Sequence, residues 1–431
     1  MTARRVAITG IGILCGYGRG GEALWAGLSS GRSAIGEHRA RLGRRAWLTY
    51  PMAALRDDPA ALARAFPNPE FVRDNHLGED PDFIALADCV AQALEDAGLG
   101  DGKRGHDIGL IVTHESPGLA PHVQSFFRWG RMAKAWWRSR SKFSPPDFLY
   151  EQQSESVYRL HSFLYLHYLS ALFHLHGFTL YNNNACASGA FSLAVAADRI
   201  RSGDSDAIVV VGGDIPEDGT KYRWFRDLGL YSVRGQCRPF RADRDGMVLG
   251  SGAAALVLED LDLARRAGRN VYAEWLGAGF TSDGWKVTFP DVVGRRYGDA
   301  IARALKVAQV KPGDLSLLVP HGVGSGLYDR FEASCLGDVL GNSGAPWPPM
   351  MLLKQALGHT LGGCAMVETV AALLAMRRGG IPEAARCLEP DPALSIGPPR
   401  PGPLPADGLI LKCTNGFGGQ NGAMVLRAMP S

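Results

Sequence analysis

The sequence predicts a layered α/β protein that is built from two similar halves. Short apolar runs that are typical of buried strands, such as residues 107–113, alternate with amphipathic stretches that are typical of helices, such as residues 81–97. Around Cys186, a predicted strand leads into a loop with a reactive side chain, and an Ala-rich helix follows. The same order occurs again around Lys354 and His359. The chain has 431 residues, which is long enough for two such units.

We expect the first half to span residues 1–258 and to begin with a strand in the apolar run at residues 5–14. Residues 36–80 contain four prolines and are predicted to be irregular. The stretch 158–176 is long and apolar, but histidines and serines interrupt it, so it predicts a buried helix rather than a membrane span. The other elements predicted for this half are strands at 107–113, 179–185, 207–211 and 253–258 and helices at 22–28, 81–97 and 187–202.

The second half is expected to span residues 259–431. Pro312 and Gly313 end a predicted helix at residues 299–310, and the Ala-rich stretch 365–377 predicts a helix shortly after His359. The other elements predicted for this half are a helix at 261–267 and strands at 271–278, 315–319, 409–413 and 423–426.

A segment at residues 126–143 interleaves aromatic and basic side chains, within a region at about 116–170 that we interpret as a variable insertion. Such a patch suits a polyanionic partner, a membrane surface or an acidic carrier protein. It equally suits an interface helix whose Arg and Lys side chains lie along apolar surface. The sequence leaves both interpretations open.

The composition is ordinary for a soluble globular protein, with 46% hydrophobic residues, 21% charged residues and a net charge of +3. So small a net charge gives no reason to expect nucleic acid binding. The eight cysteines include no Cys-x-x-Cys pair and no metal-ligand spacing, which predicts reduced thiols in a cytoplasmic protein and no metal site. The chain enters a strand directly, so neither a signal peptide nor a transmembrane segment is expected.

Cys186 lies between a predicted strand, residues 179–185, and a predicted helix, residues 187–202. The free backbone N–H groups and the partial positive charge of a helix N terminus lower the pKa of a thiol and favour the nucleophilic thiolate. An isolated cysteine more often packs as a small hydrophobic residue. Here His321 and His359 are also expected at strand ends, and a thiol with two histidines is suited to nucleophilic acyl chemistry.

The Gly-rich loop at residues 415–422 lies between two predicted strands, an order that differs from that of a dinucleotide site. In combination, the motifs of this chain resemble those of the β-ketoacyl-acyl carrier protein synthases, the elongating condensing enzymes of type II fatty acid and polyketide synthesis. The matching motifs are Val6-Ala7-Ile8-Thr9-Gly10-Ile11-Gly12, Ala185-Cys186-Ala187-Ser188-Gly189, Arg238-Pro239-Phe240, Asp243-Arg244-Asp245-Gly246, His321-Gly322, Lys354 with Gly358-His359-Thr360-Leu361-Gly362, and Gly416-Phe417-Gly418-Gly419. The resemblance implies the five-layer αβαβα thiolase-like fold, in a homodimer.

The resemblance also implies a reaction. Cys186 is implied to take an acyl group from an acyl carrier protein, and His321 and His359 to bind a malonyl thioester and assist its decarboxylation. The enolate then attacks the Cys186 thioester, which completes a decarboxylative Claisen condensation. The phosphopantetheine arm belongs to the carrier protein, so no cofactor of the enzyme itself is implied.

Lys354 is implied to act with Asp329 and Glu332 in a partly buried charge network that orients the two histidines. A buried charge without a partner is costly, so these three residues are expected to depend on one another.

Two loops are implied to shape the site around the reacting atoms. The backbone N–H groups of Cys186 and Phe417 are implied to form an oxyanion hole, and the loop with Phe417 and Gly418 to gate the acyl pocket. Val323 and Ser325 stand on the pantetheine side, where the family usually has threonines.

Departures from the family pattern, such as Val323 in place of a hydroxyl-bearing residue, favour a member of a specialised pathway. Two alternatives stay open at the level of sequence. One is a non-elongating acyltransferase that passes the Cys186 acyl group to an amine or alcohol. The other is a partner subunit of a ketosynthase heterodimer.

Overall fold

The computed structural model describes residues 4–41, 47–100, 107–123, 125–126, 130, 134, 154, 156–387, 389–398 and 402–430. The strands in chain order are β1 (Val6–Cys15), β2 (Gly18–Arg19), β3 (Gly36–Arg41), β4 (Trp47–Ala53), β5 (Gly109–Thr113), β6 (Thr179–Asn182), β7 (Ala207–Asp214), β8 (Leu249–Gly250), β9 (Gly252–Asp260), β10 (Ala273–Ser282), β11 (Leu315–Val319), β12 (Leu409–Gly416) and β13 (Gln420–Ala428). The helices in chain order are α1 (Gly21–Ser29), α2 (Pro59–Ala63), α3 (Pro69–Asp74), α4 (Pro81–Asp96), α5 (Phe163–Phe173), α6 (Ser188–Ser202), α7 (Thr220–Asp227), α8 (Leu261–Arg266), α9 (Arg296–Ala308), α10 (Gly326–Val339), α11 (Lys354–Leu357) and α12 (Cys364–Arg377).

Within the described residues, a ten-stranded sheet runs through both halves in the order β11-β12-β13-β10-β1-β9-β7-β5-β6, with β2 paired to β1. In the first half, β1, β9 and β7 pair antiparallel, and β7, β5 and β6 pair parallel. The second half repeats this pattern, because β10, β13 and β12 pair antiparallel and β12 and β11 pair parallel. The antiparallel pair β1–β10 joins the halves, with Val6 opposite Trp275.

Side chains on opposite faces of the sheet pack into different cores. In β7, Val210 shares a core with the central helices α6 and α12, whereas Val209 packs with α4 and α5. In β12, Ile410 shares the same central core, whereas Leu411 packs with α9 and α10. Helices therefore alternate with sheet in five layers, and the predicted αβαβα fold is confirmed.

The central layer contains α6 and α12, and their sequences explain why they are buried. Every residue of α12 from Cys364 to Met376 is buried, as expected for a helix that is apolar around most of its circumference. Gly189 lets α6 approach α12 closely, because a Cβ at this position would lie 2.9 Å from Met366 Cγ. The helix that follows Cys186 is thereby fixed between the two halves.

The prediction that residues 36–80 are irregular is wrong. β3 and β4 pair antiparallel, and β4 adds a short parallel pairing to β8 at Met52 and Ala53. Pro51 has no backbone N–H to donate to a neighbouring strand. It is tolerated in β4 because it pairs only with Glu37 of β3, and the pairing with β8 begins one residue later, at Met52. Helices α2 and α3 follow in the same segment.

The helix predicted at 158–176 is shorter in the structure, where it spans Phe163–Phe173. His174 takes the left-handed conformation that ends it. The helix is amphipathic rather than wholly buried, since Leu169 is buried and His167 is exposed. In the described part of the chain, no helix is long and apolar enough to cross a membrane.

Two sequence predictions concern parts of the chain that the structure does not test. Most of the aromatic and basic segment 126–143 lies outside the described residues, as does much of the insertion predicted at about 116–170. The division of the chain after residue 258 remains a prediction, and this position lies inside β9 (Gly252–Asp260).

Candidate active site

Cys186 lies in a tight connection between β6 and α6. Ala185 has a φ of 50°, an uncommon conformation for a residue with a side chain. The Ser188 hydroxyl holds this turn, because it accepts the backbone N–H of Asn184 at 2.7 Å and donates to the Ala185 carbonyl at 2.6 Å. The turn places the thiol at the edge of the sheet, facing loops from the second half.

Both predicted histidines lie beside Cys186. His359 Nε2 is 3.1 Å from Cys186 Sγ, and the rings of His321 and His359 are 5.4 Å apart between their centres. His321 follows β11, and His359 lies between α11 and α12. The structure therefore brings together one side chain from the first half and two from the second.

The expectation of a lowered thiol pKa is wrong. Burial raises the pKa of Cys186 well above 9, and the carboxylate of Glu115 adds to this effect. Burial also lowers the pKa of His321 and of His359 well below 6.5, with a further contribution from the positive charge of Lys354. The resting pair is thus a neutral thiol beside a neutral imidazole, which is placed to accept the thiol proton.

The histidine protonation state leads to a prediction about pH. Because the depressed pKa keeps both rings neutral as the pH falls through 6.5, we expect activity to persist below that value. The check is a profile of kcat/KM between about pH 8 and pH 5.5. An acid limb with its midpoint near 6.5, the ordinary histidine value, would contradict the assignment of two neutral rings.

The charged network around Lys354 differs from the predicted one. Lys354 Nζ pairs with Glu368 Oε1 at 2.6 Å, and Lys412 Nζ pairs with Glu368 Oε2 at 2.7 Å. Lys354 also donates to the His321 carbonyl and lies 3.5 Å from His321 Nδ1. The ion-pair partner of Lys354 is therefore Glu368, not Asp329 or Glu332, because Glu368 on α12 faces both lysines in the buried core.

Asp329 and Glu332 instead hold the backbone of the His321 loop. Glu332 accepts the N–H groups of His321 at 2.6 Å and Gly322 at 2.7 Å. Asp329 accepts the N–H groups of Val323 and Gly324, both at 3.1 Å. Both carboxylates come from the first turns of α10, so this helix fixes the loop that carries His321.

The buried network gives a prediction about stability. Glu368→Gln leaves two buried ammonium groups without a carboxylate, so we expect it to lower the free energy of unfolding by about 3–5 kcal/mol. Lys354→Met is expected to cost less, because Glu368 keeps its pair with Lys412. Urea unfolding of both variants checks the order. A larger loss for Lys354→Met would contradict the central position of Glu368.

A cleft lies in front of the thiol, and Val323 and Ser325 line it together with both histidines. The Phe417 ring closes one side and packs against Phe225 and Trp224, each at 5.7 Å between ring centres.

The loop that carries Phe417 lies directly against the nucleophile. A Cβ at Gly416 would lie 3.2 Å from Cys186 N, so the glycine permits this close approach. Gly418 adopts a φ of 77° and donates its N–H to Val287 at 2.7 Å, on the outer side of the loop.

A second charged pair near the thiol was not predicted from the sequence. Glu115 Oε1 is 3.9 Å from Cys186 Sγ, and Glu115 Oε2 pairs with Lys221 Nζ at 2.7 Å. Lys221 also pairs with Asp214 Oδ1 at 3.2 Å. The signal available in the sequence was the polar pair His114-Glu115 directly after the buried strand β5.

Asp82, His114 and Asp214 form a buried trio beside this pair, and one ligand atom from each lies within 4.8 Å of the others. His114 Nε2 is 3.0 Å from Asp82 Oδ1, while His114 Nδ1 accepts the backbone N–H of Ser116 at 2.9 Å. An accepting Nδ1 leaves the ring proton on Nε2, and a protonated ring nitrogen cannot ligate a metal. The trio is therefore built as a hydrogen-bonded cluster.

Family models match most of the chain. The model described as "Beta-ketoacyl synthase, N-terminal domain" matches residues 3–124 and 149–264. The model described as "Beta-ketoacyl synthase, C-terminal domain" matches residues 272–387. The interruption in the first match falls inside the predicted insertion at about 116–170.

Individual relatives agree with the family models. The chain is 34% identical over 251 residues to 3-oxoacyl-[acyl-carrier-protein] synthase 2 of Mycobacterium bovis (strain ATCC BAA-935 / AF2122/97), a match that covers 56% of this chain and 59% of that relative. It is 28% identical to nodulation protein E of Rhizobium leguminosarum bv. trifolii, over 91% of each chain. The crystal structure of a beta-ketoacyl synthase from Burkholderia phymatum STM815 matches with a TM-score of 0.80 and 25% identity, over 99% of this chain and 100% of that one. This chain belongs to the β-ketoacyl synthase family.

Proposed function

We propose that this protein is a condensing enzyme, which joins an acyl group held on Cys186 to a malonyl unit with loss of CO₂. The 3.1 Å separation of Cys186 Sγ from His359 Nε2, in a cleft that His321 also lines, supports this function. Such a cleft offers a nucleophile and two imidazoles, one of which is the base, near one reacting carbonyl. The family membership and the name of the Mycobacterium relative point to the same chemistry.

The first step is acyl transfer to the thiol. Cys186 Sγ attacks the thioester carbonyl of an acyl carrier protein, and its proton passes to His359 Nε2. The backbone N–H groups of Cys186 and Phe417 stabilise the oxyanion of the tetrahedral intermediate. The intermediate collapses to a Cys186 thioester, and the departing phosphopantetheine thiol takes up the proton.

The second step is decarboxylation and carbon–carbon bond formation. The malonyl carboxylate leaves as CO₂, and its bonding electrons pass to the thioester oxygen as an enolate. His321 donates to this oxygen from Nε2, because Lys354 faces Nδ1 and favours a lone pair there. The enolate carbon attacks the Cys186 thioester carbonyl and expels the Cys186 thiolate, which takes up a proton from water. A β-ketoacyl carrier protein leaves.

The partner that this chemistry requires is an acyl carrier protein, whose phosphopantetheine supplies the thioester. Val323 and Ser325 line the cleft where that arm enters, and Ser325 offers a hydroxyl for its amides. We expect a homodimer, in line with the family resemblance. Light scattering of the purified chain checks this expectation. A chain that is monomeric alone and dimerises only with a second, related chain would contradict the homodimer and identify a heterodimer.

The test compares turnover with and without the malonyl donor. The chain is incubated with an acyl carrier protein, and product is measured with malonyl-carrier protein present or omitted. Condensation requires the malonyl donor and gives a β-ketoacyl product. Transfer of the acyl group to an amine or alcohol with malonyl omitted would identify a non-elongating acyltransferase instead.

A further inference from the structure

The Glu115 carboxylate lies near the reacting sulfur. Its Oε1 lies 3.9 Å from Cys186 Sγ, and its Oε2 is held by Lys221 at 2.7 Å. Lys221 is anchored in turn by Asp214, which accepts the Gly362 N–H at 2.9 Å. The carboxylate is therefore fixed in position, with one oxygen directed at the nucleophile.

Acylation of Cys186 changes the surroundings of this oxygen. The single thiol proton is directed to His359 Nε2 at 3.1 Å, and a thioester has no proton, so after acylation the sulfur offers no donor to Glu115 Oε1. Glu115 is largely enclosed, with 15% of its side chain exposed. A carboxylate oxygen without a donor in such a position is costly, so an acyl group that supplies a donor is favoured.

The space around the thiol indicates where the acyl group lies. Condensation needs the acyl group and the malonyl unit at once, and the cleft with both histidines must hold the malonyl unit. Because Glu115 Oε1 is 3.9 Å from the same sulfur, the acyl group on Cys186 is within reach of this carboxylate. Beyond the ion pair lies a second cavity, and Lys221, Asp214, Asp82, Asp218 and His114 line it.

A long alkyl chain does not suit this side of the thiol. It would bury the Glu115–Lys221 pair against hydrocarbon and lead toward a cavity with three aspartates in its lining. The carboxylates around this cavity outnumber the Lys221 ammonium group, so an acyl group with a hydrogen-bond donor fits better than one with an acceptor. A short chain with a hydroxyl or amino group on its second or third carbon reaches Oε1.

We propose that Glu115 is a specificity-determining residue, which selects short acyl groups that carry a hydrogen-bond donor for the Cys186 thioester. This inference rests on the proposed function, since it concerns the acyl group of the same reaction. Lys221 and Asp214 are positioning residues that hold the carboxylate toward the sulfur.

The test measures acylation of Cys186 by intact mass, with N-acetylcysteamine thioesters as donors. The 3-hydroxybutyryl and butyryl thioesters differ by one hydroxyl, and the octanoyl thioester supplies a long apolar chain. We expect the wild type to be acylated about tenfold faster or more by the 3-hydroxybutyryl than by the butyryl donor.

Two variants of Glu115 distinguish the loss of a hydrogen-bond acceptor from a general loss of folding. Glu115→Leu removes the carboxylate while Lys221 keeps its pair with Asp214; we expect the hydroxyl preference to vanish and octanoyl acylation to rise. Glu115→Gln keeps an acceptor of the same size, so a reduced hydroxyl preference should persist. This variant also preserves the test if Glu115→Leu does not fold.

The outcomes distinguish this inference from the proposed condensation. Equal acylation of the wild type by the 3-hydroxybutyryl and butyryl donors, or the same preference in wild type and Glu115→Leu, would overturn the role of Glu115 alone. Failure of every donor to acylate Cys186 would overturn both, because each requires the thioester. Selective acylation without later condensation would support Glu115 and contradict only the condensation.

Discussion

Cys186→Ala is expected to abolish the acyl-enzyme. The wild type should gain the mass of the acyl group after incubation with an acyl carrier protein, and the variant should gain none. Product formation should fall on the order of 10³-fold or more, because the variant lacks the nucleophile on which both steps depend. Intact-protein mass spectrometry measures the first effect, and a product assay measures the second.

The control is Cys364→Ala, the neighbouring thiol. Cys364 Sγ donates to the Cys186 carbonyl at 3.2 Å, so it lies beside the nucleophile but on its backbone side. Burial raises its pKa to about 12. We expect Cys364→Ala to retain the mass gain. Acylation that persists in Cys186→Ala and disappears in Cys364→Ala would contradict Cys186 as the nucleophile and identify Cys364 instead.

Loss of either histidine is expected to stop condensation, with different effects on acylation. His321→Ala should lower the rate of condensation about 10²–10³-fold, as removal of one oxyanion donor does in other enzymes. It should leave acylation of Cys186 nearly unchanged, because the imidazole in hydrogen-bond contact with the thiol is that of His359. His359→Ala should slow both steps, since it removes the base as well.

The two steps are separated by measuring acyl-enzyme formation and CO₂ release on the same samples. His167→Ala serves as the control, because His167 is exposed on α5 and its ring lies against Phe71. It should change neither step. Equal effects of His321→Ala and His359→Ala on acylation would contradict the assignment of His359 alone as the thiol's base.

Much of the fold could be predicted from the sequence because its elements have strong local signals. The helix at Pro81–Asp96 shows a clear apolar stripe, and Gly203 marks the end of α6 in the left-handed conformation. The segment 36–80 was missed although it contains start signals for short helices. Asp58 caps α2 and Asn68 caps α3, each directly before a proline.

The nucleophile and both histidines could be predicted because each lies in a recognisable motif. The network behind them depends on contacts between distant residues. Glu368 is joined to Lys412 across the central layer, and no local pattern specifies that pair. The raised thiol pKa follows from complete burial, which outweighs the partial charge at the start of α6.

The measurement that tests condensation on Cys186 most directly is a single turnover of the isolated acyl-enzyme. Acylated wild type is separated from its donor and mixed with malonyl-carrier protein, and the intact masses of both proteins are followed. We expect Cys186 to lose the acyl mass while the carrier protein loses CO₂ and gains the acyl group. An acyl group that stays on Cys186 beside unchanged malonyl-carrier protein would contradict decarboxylative condensation as the function of this chain.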